Sequence, residues 1–124
     1  MNRAQAIAHY SNALQAGALE CSVYAELVGN AIDWKHAMLH VPIRMHGGIV
    51  RWVLFGIVPG EFLQAIIRGD LFDAAGRADD ENQKLLWEYA FVMHNAVPSQ
   101  SKGPNALTTW KGIFPEEDPE AQAA

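Results

Sequence analysis

Residues 41–63, VPIRMHGGIVRWVLFGIVPGEFL, decide the fold. Pro42 suits a first helical turn, where its missing N–H has no partner to lose. From there to Phe55 the spacing of Met45, Ile49, Trp52 and Val53 predicts a helix, and Gly56 offers a left-handed stop. Pro59-Gly60 then opens a second helix running to Arg68, closed by Gly69.

The same punctuation extends outward. Arg3 to Gln15 carries Ile7, Tyr10 and Leu14 at three- and four-residue steps, an amphipathic helix. Leu19, Val23, Tyr24, Leu27 and Val28 form another stripe, ending at Gly29-Asn30. Ala31 to His40 holds a short helix starting at Asp33. Asp70 caps a short segment ending at Gly76. Asp79 or Asp80 caps what reads as the strongest helix, Glu81 to Asn95, and Pro104 starts a last one through Trp110. No strand or internal repeat is visible. The expectation is an all-α, compact bundle of five to seven short helices, in one domain over residues 1–115.

Composition narrows the function classes. The chain has 124 residues, half of them hydrophobic, and one cysteine, Cys21, which rules out an internal disulfide and fits a reducing cytoplasm. Neither an apolar leader in MNRAQAIAHYSN nor a membrane-length apolar run appears, so a cytoplasmic protein with no membrane partner is expected. Four of its 14 acidic residues, Glu116, Glu117, Asp118 and Glu120, lie in residues 116–124, which read as a disordered acidic tail. The remainder is almost neutral, which argues against direct nucleic-acid binding.

Two helices carry more apolar surface than one face needs. In Pro42–Phe55, Leu54 and Phe55 extend the stripe. In Glu81–Asn95, Leu86, Tyr89, Ala90 and Met93 form one stripe, with Trp87 and Phe91 on another. Such a helix is covered on two sides, either by its own neighbours or by a second subunit. Trp87 and Phe91 are therefore interface candidates in a homo-oligomer.

Taken in order, Val41-Pro42, Arg51-Trp52, Gly56 to Leu63, Asp70-Leu71, Gly76 to Asp79 with Asn82, Tyr89, Asn95, Pro98, Gly103 and Trp110 give residues 42–110 a pattern. It resembles a group of small proteins, without established activity, encoded by tailed bacteriophages and prophages. The chain departs from the group at Ser101-Lys102, where its members carry a cysteine and a tryptophan before the glycine. The resemblance implies a phage source and transfers no catalytic residue. If the chain is phage-encoded, it acts in the host cytoplasm.

Chemistry-bearing motifs are sparse. His36 and His40 are half of a zinc site, but HAMLH lacks the metalloprotease glutamate and Pro42 separates His46 from them. No metal, cofactor or catalytic residue is expected. Cys21 reads as a small buried thiol. The polar feature with most content is Arg44 and Arg51, two turns apart on one face with Gly47 and Gly48 between them. Glycine costs about 1 kcal/mol in a helix, so bare backbone there has a purpose. It either lets another helix approach, with the arginines paired to Glu61, Asp70 or Asp73, or forms an anion cradle. Trp52 or Phe55 would stack on the cradle's ligand, and Gly60 would add a helix N-terminus. Two binding functions follow. One is capture of a small anionic, nucleotide-like signal used in bacterial immunity, slightly favoured because it has residues to name. The other is a protein-docking inhibitor of a host defence complex such as CRISPR. A metal-dependent enzyme is a remote third.

Overall fold

In the computed structural model the described residues are 1–29 and 31–116, without the side chains of 31–33. They form α1 (Arg3–Gln15), α2 (Glu20–Val28), α3 (Ala31–Ala37), α4 (Ile43–Phe55), α5 (Glu61–Arg68), α6 (Leu71–Arg77), α7 (Asp80–Gln83), α8 (Leu86–Asn95), a 3-10 turn (Ser99–Ser101) and α9 (Ala106–Thr109). No strand occurs among these residues. The all-α expectation holds, with α7 and α9 each only four residues long. The expected acidic tail falls on residues 117–124, outside the described residues, apart from Glu116.

The polar and glycine signals act where the sequence places them. Asn2 and Gln5 form a capping box on α1. Asp70 and Asp79 accept the Asp73 and Asn82 N–H groups at the starts of α6 and α7. One expected helix is broken. The Glu81–Asn95 segment divides at Lys84–Leu85 because Asn82 turns inward, 3% exposed, and accepts the Tyr89 hydroxyl at 2.5 Å. A buried tyrosine hydroxyl needs such a partner. The chain meets that need by ending α7 after one turn and starting α8 at Leu86.

At the centre is α4. Val50, Val53 and Leu54 are fully buried, and Ile49, Trp52 and Phe55 nearly so. Its apolar excess is thus covered from within by neighbouring helices. That leaves a problem at its C-terminal end, where a helix's last four carbonyls have no partner within the helix. Each is satisfied by chain from elsewhere or by the cap. The Gly56 N–H and the Trp110 indole donate to Trp52 O at 2.9 and 3.0 Å. The amides of Ile113 and Phe114 donate to Val53 O and Leu54 O at 3.0 and 2.8 Å. Arg3 donates to Phe55 O, and to Phe114 O, at 2.9 Å. Both ends of the described chain therefore close on one helix terminus.

Backbone crosses backbone closely at that point. Gly56 has φ +69°, and a Cβ there would lie 2.6 Å from the Lys111 carbonyl carbon. At Gly112 a Cβ would lie 2.6 Å from Leu54 O. Gly56→Ala therefore suffers left-handed strain and a clash with main chain. Gly69→Ala, with φ +78° and open space, suffers only the strain. In urea unfolding, Gly69→Ala should cost about 1 kcal/mol and Gly56→Ala roughly 3 kcal/mol or more. Equal losses would show that the crossing can relax.

Candidate functional site

The residues of the expected anion cradle are placed but not assembled. Arg44 leaves α4 toward α7, where its Nη2 meets Asp79 at 2.8 Å and Glu81 at 3.0 Å. The Asn82 N–H, and then Arg44, hold the Asp79 carboxyl below the usual carboxylate range. Arg51 turns the other way, to α1 and α2. It donates to the Tyr10 hydroxyl at 3.2 Å and lies 3.8 Å from Glu20, while Tyr10 donates to Glu20 at 2.6 Å. The expected partners differ from the observed ones. Glu61 and Asp73 pair with Arg77, and Arg68 pairs with Asp70 and Asp73.

The glycine gap is filled by the protein itself. A Cβ on Gly47 would lie 2.6 Å from Arg51 Nη1, because that guanidinium folds back over the bare backbone. A Cβ on Gly48 would lie 2.8 Å from Leu63 Cδ1, so the glycine leaves room for the Leu63 side chain of α5. Trp52 is 1% exposed, its indole donating to Ser101 O at 2.8 Å, and Phe55 is also buried, so neither presents a stacking face. Gly60 is exposed at the start of α5, whereas Arg44 and Arg51 bond to α7 and to α1 with α2.

The open surface lies on α8. Tyr89, Val92 and Met93 face the core, while Trp87 is 81% and Phe91 40% exposed. A cleft of about 370 Å³ lies between α5, α6 and α8, lined by Ile66, Leu71, Leu86, Ala90, His94 and Lys102 among others. A second, of about 390 Å³, is bounded by Trp87, Ala90, Phe91, His94 and Asn95. Ala90 and His94 border both, so the two clefts form one surface across the outside of α8. Leu71, which borders the first cleft, and the adjacent Phe72 are exposed on α6. His36 of α3 contacts Phe91 edge to face, with centroids 6.2 Å apart. Lys102 closes the end of α8, its ammonium bonded to the Met93 and His94 carbonyls.

Histidines and the cysteine divide differently from their spacing. His36 and His40 are exposed, and no group of three metal-ligating side chains occurs among the described residues. His46 is buried, with Nδ1 3.2 Å from Cys21 Sγ and Nε2 2.8 Å from Val41 O. No local signal joins residues 25 positions apart in separate helices.

All three tyrosines resist ionisation. Burial, aided by the Glu20 carboxylate, pushes Tyr10 up to about 12; burial alone does the same to Tyr24, and burial, with Asp79 and Glu81 against Arg44, raises Tyr89 further. The fold favours neutral phenols, so their stabilisation is intact below the ordinary value near 10 and is lost as pH rises through about 12. Tyrosinate absorbance should show no step at the ordinary phenol value. It should rise late, together with loss of helical circular dichroism. One tyrosine titrating normally in the folded protein would contradict this placement.

No protein-family model, curated protein or solved structure matches the chain.

Proposed function

We propose that this chain is a non-enzymatic binding protein that docks on another protein through the outer face of α8. We take its partner to be a host defence complex, such as CRISPR, met in the cytoplasm of a phage-infected cell. The observation that carries the docking reading is Trp87, a large aromatic 81% exposed on a helix whose opposite side is core. Contiguous apolar surface of this kind marks interaction sites, and tryptophans beside small clefts are frequent anchors of binding energy. The phage setting rests on the resemblance of residues 42–110.

Capture of a small anionic, nucleotide-like signal is the second reading. Arg44 and Arg51 carry it, and an anion must compete there with Asp79, Glu81 and Glu20. That competition puts docking first. In the homo-oligomer reading the same face serves a second copy of the chain.

The test is phage plating on cells that carry a CRISPR defence and express the chain. The wild type should restore plating. Trp87→Asp combined with Phe91→Asp should abolish it with the helical spectrum intact, since anchors of this type contribute about 2–4 kcal/mol each. Arg44→Ala combined with Arg51→Ala should still restore plating. The reverse pattern would move the function to anion capture. A wild type without effect would remove the anti-CRISPR reading. If the aspartate variant instead halves the native mass, the face belongs to a second copy.

A further inference from the structure

We propose that Cys21 and His46 form a reactive thiol–imidazole pair that accepts one oxygen atom from hydrogen peroxide. This site is separate from the α8 face and rests on different residues.

Cys21 is in the first turn of α2, and its Sγ lies 3.2 Å from His46 Nδ1. Val41 O, 2.8 Å from His46 Nε2, can only accept, so Nε2 carries the ring proton. That leaves the Nδ1 lone pair facing the thiol. A base beside the sulfur, with its tautomer set by a third group, is the arrangement that activates a nucleophile. A buried S–H···N bond with a purely structural role would need nothing more.

A second observation points to an added atom. Trp34 is 1% exposed, and its indole N–H lies near the same sulfur without completing a hydrogen bond to it. It is a buried donor with no partner among the described residues. Such a donor is costly, and an oxygen attached to Sγ would give it an acceptor. Access is small but present, with Cys21 7% and His46 9% exposed. Hydrogen peroxide is barely larger than water.

Burial pushes the Cys21 thiol up, only partly offset by Trp34 and Lys35, so the resting group is the neutral thiol. The nucleophile therefore forms during attack. Sγ attacks one peroxide oxygen, the S–O bond forms and the O–O bond breaks. The thiol proton passes to His46 Nδ1 and then to the departing hydroxide, which leaves as water. Sulfur is oxidised by two electrons and the peroxide is reduced by two. Cys21 is the chain's only cysteine, so the sulfenic acid has no internal thiol to condense with. It waits for an external thiol.

The experiment treats the full chain with hydrogen peroxide, traps sulfenic acid with dimedone and follows intact mass. Folded wild type should gain the adduct at least about tenfold faster than the same chain unfolded in guanidinium, the scale of modest general-base help. His46→Gln should remove the advantage, and Trp34→Phe should shorten the life of the sulfenic acid. Folded protein reacting no faster than unfolded chain overturns the proposal, whether or not His46→Gln folds. A folded His46→Gln protein as fast as wild type overturns it too.

Discussion

The buried C-terminal end of α4 is the constraint on which the rest of the structure depends. A helix whose last turn, Trp52 to Phe55, is buried cannot leave its last carbonyls to water, and unpaired buried carbonyls cost about 1–3 kcal/mol each. The fold solves this with Arg3 from one end of the sequence and Trp110, Ile113 and Phe114 from the other. The solution needs main chain to lie against main chain, so both crossing positions, Gly56 and Gly112, lack side chains. α1 and the segment after α9 are thus parts of the core helix's termination rather than additions to it.

With the C-terminal turns of α4 enclosed, the largest exposed aromatics appear elsewhere. The equal expectations for the two surplus helices separate here. Trp52, Leu54 and Phe55 are core, whereas Trp87 and Phe91 stand outside it. The inward turn of Asn82 to meet Tyr89 breaks the chain between α7 and α8, and α8 starts anew with its own exposed face. A polar requirement inside the protein is coupled in this way to the surface proposed for docking.

Helix ends are legible in the sequence because they depend on local chemistry. Pro42, Gly56, Gly69, Asp70 and Asp79 act within a few residues of where they stand, and the expected limits of α1 coincide with the observed ones. The second stripe on α8 was legible for the same reason, since Trp87 and Phe91 are one turn apart, but its exposure follows only from the packing. Arginine partners were not. Spacing placed Arg44 and Arg51 on one face, but α7 draws one side chain away and α1 with α2 the other. Likewise Cys21 and His46 meet only because α2 packs on α4. Period and composition describe one helix at a time, whereas such pairings belong to the packing of several.

Native-state hydrogen exchange of the backbone amides measures the central constraint most directly. The Ile113 and Phe114 amides should exchange only through the same global opening as the amides of α4, with matching free energies. If they exchange as freely as exposed loop amides while α4 stays protected, the terminal segment does not close the helix, and the dependence of the fold on that junction is wrong.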